Sequence, residues 1–308
     1  MAEGQGAPIR VIDRAVPACD GTVLACRVWE PVAGGPAGRP VALLHHGVAY
    51  YGAAYHALGT YLAARGVPLC APDARGHGRS GGERGAMRNG RTMLFDLHTM
   101  VCWVRRRYPG RPLLLIGESM GGLFALNYAA LFAQPAGTVA ALLLVAPGLL
   151  IHPRQVAHFT VVRRTPQARR TTAENGPAMR AWRAALVGSR DAAWLLAHDA
   201  DPLVLPSVSG RYMLTVTAMS IRSPGAARRW TGPTLILHGK RDGVVPFQGS
   251  VMLYRLLGAP DKELALFPDV WHTMFWDPDT PRILARIESW LAQRFPIAPG
   301  GEPLHADR

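Results

Sequence analysis

The stretch Gly117-Glu118-Ser119-Met120-Gly121-Gly122 restricts this chain more than any other. The apolar residues 113–116 lead into it and Leu123-Phe124-Ala125-Leu126 continues from it, so strand, tight turn and helix are written in that order. A G-x-S-x-G turn holds its serine in a strained backbone conformation, and side chains at the flanking positions would collide with the neighbouring strand and helix. Ser119 is thereby pushed out at the carboxyl edge of a sheet. The start of the following helix places the N–H of Met120 near the serine oxygen, where it can hydrogen-bond a developing oxyanion. A plain glycine-rich helix start, with Ser119 as an N-cap, is the competing reading. The strand before and the helix after it favour the nucleophile.

Around this turn, strand and helix signals alternate. Residues 22–30 are rich in strand formers and suggest an opening antiparallel pair. Val41-Ala42-Leu43-Leu44-His45 is a short, nearly continuous apolar strand, as expected where helices cover both sheet faces. A helix over 53–65 stops at Gly66, and a strand over 67–71 ends at Pro72-Asp73. The polar loop 73–82 lacks G-K-[ST] and does not lead into a helix, so it reads as a structural turn and not a phosphate cradle. A long helix spans 92–108, with Phe95, Thr99, Cys102 and Trp103 near one face, and a strand spans 139–145. The pattern returns with a strand at 233–238, a helix at 247–257, a strand at 263–267 and a final helix at 281–295. This predicts an α/β chain with a mostly parallel, doubly wound sheet whose ligands sit at the strand carboxyl ends.

Between these two parts the rhythm breaks. Residues 150–229 read as a helical cap inserted over the carboxyl edge, with helical stretches at 178–187 and 210–221. The expected division is a core of 1–149 and 230–295, a cap of 150–229 and a frayed tail of 296–308. The formal net charge is +13, carried by 32 arginines and only Lys240 and Lys262. The cap region alone holds twelve arginines against Glu174, Asp191, Asp199 and Asp201. No aromatic interleaving or recognised fold accompanies them, so nucleic acid is not an expected partner; a solvated face or attraction of an anionic substrate or membrane surface is. The four cysteines show no metal or disulfide spacing. No basic segment followed by an apolar stretch opens the chain, and the longest apolar stretch, 139–151, is interrupted by Pro147 and Gly148. A soluble, cytoplasmic protein is expected.

A serine hydroxyl near neutral pH needs a histidine to take its proton, and that histidine needs a carboxylate to fix its tautomer. Asp242 follows the strand 233–238, and His272 follows the strand 263–267, both at the edge that carries Ser119. The order Ser119, Asp242, His272 is the one expected for this kind of sheet. Asp269, three residues before His272 in the same loop, is worse placed to reach across to that ring. His45, His77 and His238 read as satisfied structural groups, and no spacing suggests zinc. On the other side, His46-Gly47-Val48 ends the strand beside the nucleophile strand, so the Val48 N–H can join that of Met120 in an oxyanion hole. His46 and Gly47 shape that loop. Tyr50, Tyr51 and Glu118 are pocket candidates, the two phenols either packing or offering a hydrogen bond.

With these residues in place the chain resembles the α/β-hydrolase superfamily, and within it the monoacylglycerol lipases, lysophospholipases and related small serine esterases. The resemblance covers nearly the whole chain. It rests on His46-Gly47, the loop Asp73-Ala74-Arg75-Gly76-His77-Gly78-Arg79-Ser80, the nucleophile turn, Asp242, His272, and Asp201-Pro202-Leu203 near the end of the cap. The sequence departs from the family pattern at Ala49-Tyr50-Tyr51-Gly52, where a glycine and a Glu-His-Ser run are usual, and at Glu118, where histidine is common. The resemblance implies a cofactor-independent serine hydrolase acting on an acyl ester such as a monoacylglycerol. Acyl transfer, elimination or cyclisation on an anionic intermediate, and a binding protein on a hydrolase scaffold, are the alternatives.

Overall fold

The computed structural model describes residues 7–133, 137–150 and 188–297. Eight strands form one sheet: β1 (Ile9–Pro17), β2 (Val23–Pro31), β3 (Val41–His45), β4 (Leu69–Pro72), β5 (Leu113–Glu118), β6 (Ala141–Val145), β7 (Thr234–Gly239) and β8 (Lys262–Phe267). Their order is β1-β2-β4-β3-β5-β6-β7-β8. β2 pairs antiparallel with β1 and with β4, and every other pairing is parallel. The mostly parallel sheet and the opening antiparallel pair are therefore as expected.

The described α-helices are α1 (His56–Ala63), α2 (Gly90–Arg107), α3 (Met120–Tyr128), α4 (Ala192–Ala200), α5 (Gly210–Arg229), α6 (Gln248–Leu256) and α7 (Thr280–Arg294). The sheet is doubly wound because its side chains alternate between two cores. Leu43 and Leu115 face a cluster with Leu97 of α2, Phe124 of α3 and Val216 of α5. Ala42, Leu44 and Leu114 face another with Leu62 of α1 and Ile287 of α7. Burial on both faces explains why β3, β5, β6 and β7 read as unbroken apolar runs.

One helix differs from the sequence reading. The expected helix 53–65 is split into a 3₁₀ turn, Gly52–Tyr55, and α1. Its first residue is pressed against β4, where a Cβ on Gly52 would fall 2.0 Å from the Ala71 carbonyl oxygen. The expected helix 92–108 is α2, whose buried face is the series Met93, Leu97, Met100, Val101 and Val104 at helical spacing, with Phe95 42% exposed.

Of the cap region, 151–187 lie outside the described residues, including the expected helix 178–187, and so does the tail beyond Ile297. The helix expected at 210–221 is α5 and continues to Arg229. Its inner face carries Tyr212, Met213, Val216 and Met219 into the core beside α3. There the Asn127 side-chain amide donates to the Ser223 hydroxyl at 2.9 Å. Among the described residues no helix is long and apolar enough to cross a membrane.

The register aligns the strand ends that matter. His45 lies opposite Gly117, Glu118 opposite Val145, and Gly239 opposite Phe267. The loops after β3, β5, β7 and β8 therefore leave from one edge. α3 runs against the end of β3 so closely that a Cβ on Gly121 would lie 1.9 Å from the His45 carbonyl oxygen. Gly121→Ala is accordingly expected to lower the urea-unfolding free energy by about 3 kcal/mol, at the upper end for an overpacked site. Gly210→Ala, in open space at the start of α5, should change it by less than about 1 kcal/mol.

Candidate active site

Ser119 joins β5 to α3 with φ 52° and ψ −116°, a conformation that non-glycine residues rarely adopt. Its own peptide groups hold it there. The Ser119 N–H donates to the Val145 carbonyl at 2.8 Å, and its carbonyl accepts from Gly122 and Gly148 at 3.1 and 3.0 Å. The glycines on either side are obligatory: a Cβ on Gly117 would sit 2.5 Å from the Gly121 carbonyl oxygen. Among the described residues, the three non-glycine positions with positive φ are Ala49, Ser119 and Ala146, all at this edge.

His272, in the loop after β8, places Nε2 3.0 Å from the Ser119 hydroxyl and Nδ1 2.6 Å from Asp242 Oδ2. An ionised carboxylate only accepts, so Nδ1 carries the hydrogen and Nε2 is left to accept from the serine. Asp242, in the turn after β7, is fully enclosed by donors. Oδ1 accepts the N–H groups of Val244 and Val245, each at 2.8 Å. Oδ2 accepts from His272 and, at 3.0 Å, from His238. Burial disfavours its charge, but the facing His272 and these hydrogen bonds outweigh that and hold the carboxyl well below the usual carboxylate range. Burial likewise opposes the imidazolium of His272, yet the Asp242 charge, with a smaller effect of Glu118, raises its pKa above the ordinary histidine value. Asp269 is far from this role: it is exposed and pairs with Arg241 at 3.0 Å.

The turn after β3 faces the serine. A methyl on Gly47 would touch Ser119 Cβ at 3.5 Å and Glu118 Oε2 at 3.4 Å. His46 accepts the Ala74 N–H on Nε2 at 2.8 Å, so its Nδ1 carries hydrogen and donates to the Gly47 carbonyl at 2.8 Å. Burial, reinforced by His77 and His45, depresses the His46 pKa far below the ordinary value, which keeps that tautomer neutral. Among the described residues no acceptor is found for the N–H of Val48 or of Met120. Tyr50 stacks on Trp276, with ring centroids 5.0 Å apart, and on Trp194 at 6.2 Å. The Tyr51 hydroxyl donates to Asp201, and the Leu205 N–H reaches back to the Ala49 carbonyl at 2.9 Å. The Asp-Pro-Leu element thus ties the segment before α5 to this turn. Loop 73–82 is a structural turn: the Asp73 carboxylate accepts the N–H groups of Gly52 and Arg79 at 2.6 and 2.7 Å.

The structure adds residues that the sequence reading did not place in the site. His238, read as a satisfied structural histidine, is buried against Ser250 at 2.6 Å, but its second partner is Asp242. Its position four residues before Asp242 was the available signal. Tyr55 reaches Glu118 and the Gly47 N–H, and only the spacing from His46-Gly47 hinted at it. Arg190 makes a bidentate pair with Asp277 beyond His272, and nothing in the sequence connects those two positions.

Residues 37–279 match the family described as Serine aminopeptidase, S33. The chain is similar to a monoacylglycerol lipase of Mycolicibacterium smegmatis, with 30% identity over 261 residues, covering 82% of this chain and 88% of that protein. It is similar to a monoglyceride lipase of Homo sapiens, 28% identical over 295 residues, covering 92% of this chain and 91% of the relative. A solved structure of a soluble variant of the Saccharomyces cerevisiae monoglyceride lipase, in complex with a substrate analog, shares the fold with a TM-score of 0.71. The identity is 20%, and the match covers 96% of this chain and 98% of that one.

Gly188, two residues before Arg190, packs against His272. Its φ is +79°, a Cβ there would lie 2.4 Å from His272 Cβ, and its carbonyl accepts the Thr273 N–H at 2.9 Å. Gly188→Ala is expected to push the ring off the serine and slow labelling of Ser119 by a fluorophosphonate at least about tenfold. The rate of labelling, read by intact-protein mass spectrometry against wild type, checks this; an unchanged rate would show that the contact does not position His272.

Proposed function

Because the chain belongs to the family described as Serine aminopeptidase, S33, within the ester-hydrolysing α/β-hydrolases, we propose that it cleaves carboxylic esters of monoacylglycerol type through an acyl-serine intermediate. The observation that carries this reading is the continuous chain from the Ser119 hydroxyl through His272 to Asp242, with contacts of 3.0 and 2.6 Å. In it, Ser119 attacks the acyl carbonyl while Nε2 of His272 takes the hydroxyl proton. The tetrahedral intermediate collapses as that proton passes to the leaving alcohol, and water, activated by the same nitrogen, then releases the acid. Asp242 fixes the tautomer and stabilises the imidazolium. The N–H groups of Val48 and Met120 receive the oxyanion, each donor contributing on the order of 3 kcal/mol to the transition state. No step calls on a cofactor.

Support for an uncharged, partly apolar substrate comes from two sides. The similar proteins are described as monoacylglycerol and monoglyceride lipases. Near the Val48 turn, Tyr50, Trp194 and Trp276 form an aromatic cluster suited to an acyl chain or a glyceryl face and not to a charged group. Attraction of an anionic substrate has less to stand on: Arg190 is committed to Asp277 and Asp279, and seven of the twelve cap-region arginines fall outside the described residues. In this reading residues 150–229 form a cap over the strand ends, with the inner face of α5 also closing the core, and residues 1–149 and 230–295 supply the sheet.

A fluorophosphonate should add one adduct to the protein and none to Ser119→Ala. A panel of short, medium and long monoacylglycerols should release free fatty acid at rates lost in Ser119→Ala and reduced by about 10³ to 10⁴ in Asp242→Asn. Labelling of Ser119 without release of acid from any ester would reject hydrolysis while leaving the nucleophile in place, and acid release that survives Ser119→Ala would reject the nucleophile.

A further inference from the structure

We propose that Tyr55 and Glu118 form a positioning relay that holds the Gly47–Val48 peptide in the orientation needed to receive the oxyanion; this rests on the ester-hydrolase reading above. Neither residue touches the reacting atoms. Tyr55 lies in the 3₁₀ turn before α1, 1% exposed, and its hydroxyl accepts the Gly47 N–H at 3.2 Å. The same hydroxyl donates to Oε2 of Glu118, the residue immediately before Ser119 and itself 3% exposed. The ring of Tyr55 packs edge-on against Trp276 and Phe275, with centroids 5.0 and 5.9 Å apart, in the segment that follows His272. One side chain therefore touches the oxyanion turn, the nucleophile turn and the histidine loop.

The geometry of a single peptide unit gives the relay its purpose. His46 Nδ1–H holds the Gly47 carbonyl from one side at 2.8 Å. In a trans peptide the carbonyl and the next N–H point in opposite directions, so fixing the Gly47 carbonyl turns the Val48 N–H away from His46. The Tyr50 N–H also donates to this carbonyl, at 3.3 Å. Both bonds act on the one oxygen, whereas the bond from the Gly47 N–H to Tyr55 fixes the preceding peptide plane and so the Gly47 backbone between them. A buried carboxylate accepting the phenol hydrogen makes the phenol oxygen a better acceptor, because hydrogen bonds in series polarise one another where water is excluded. Glu118 thus strengthens a bond it does not itself make.

The charge of Glu118 reaches the base as well. Burial raises its pKa to about 7, offset by His272 and by the Tyr55 hydrogen bond, and Asp242 is the other charge that faces it. Tyr50 lies beyond Tyr55 as the next titratable group. Because the Glu118 carboxylate favours the imidazolium of His272, removing that charge lowers the pKa of the histidine.

The test uses the full-length protein and nitrophenyl butyrate, with wild type and Ser119→Ala measured alongside. Tyr55→Phe should lower kcat roughly 10- to 100-fold with KM within about twofold, since a misaimed oxyanion donor weakens the transition state more than the ground state. Glu118→Ala should lose a similar factor, and Tyr55→Phe combined with Glu118→Ala should lose little more than either alone. Glu118→Gln retains an acceptor oxygen for the phenol, so it should keep most of kcat while the acidic limb of kcat/KM moves to lower pH. Folded Tyr55→Phe with the wild-type kcat, or losses that multiply in the double variant, would overturn the relay. If Tyr55→Phe does not fold, folded Glu118→Ala with the wild-type kcat overturns it. A wild type without Ser119-dependent turnover overturns the ester-hydrolase reading and the relay with it, whereas intact wild-type turnover with unaffected variants overturns the relay alone.

Discussion

The backbone of Ser119 occupies a conformation that stores about 1 to 3 kcal/mol of strain, and the surrounding structure exists in a form that keeps it there. The sheet register sets Val145 opposite Glu118, so its carbonyl can accept the Ser119 N–H from the next residue. Glycines at 117 and 121 let α3 start against the end of β3 with no side chain between them. The Gly122 and Gly148 N–H groups then occupy the serine carbonyl. Relaxing the turn would break all of these contacts together. The serine hydroxyl is consequently presented at a fixed point, and the other loops need only be aimed at it.

Aiming them creates an electrostatic problem, because the side chain of Asp242 is enclosed and His272 and Glu118 are buried within one small region. The structure answers it with donors. Asp242 receives two backbone N–H groups and two imidazole N–H groups, which keeps it ionised despite burial. Burial lifts the Glu118 carboxyl to about 7, with the nearby imidazole and the phenol hydrogen bond holding it from rising further. His46 and His77, by contrast, are driven neutral by burial and act through fixed tautomers, holding backbone groups and the Tyr212 hydroxyl. Buried titratable groups here divide into those kept charged to support the base and those kept neutral to shape the loops.

Much of this was legible in the sequence because it is local. The strand-turn-helix around Ser119, the apolar runs of β3, β5, β6 and β7, and the placement of Asp242 and His272 after successive strands all follow from short-range pattern. Residues that act by long-range contact left no such trace. Gly188 meets His272, Tyr55 meets Glu118, and Arg190 meets Asp277 across separations that no periodicity encodes. His238 lay between these cases: burial and a nearby serine satisfied it, and its contact with Asp242 emerged only from the turn geometry.

The central claim is that Ser119 takes the acyl group and water removes it. Hydrolysis of a monoacylglycerol in ¹⁸O-labelled water tests this most directly, with mass spectrometry of both products. The account predicts fatty acid carrying one labelled oxygen and glycerol carrying none, with both products absent in Ser119→Ala. Labelled glycerol, or unlabelled acid passed on as a new ester, would contradict it.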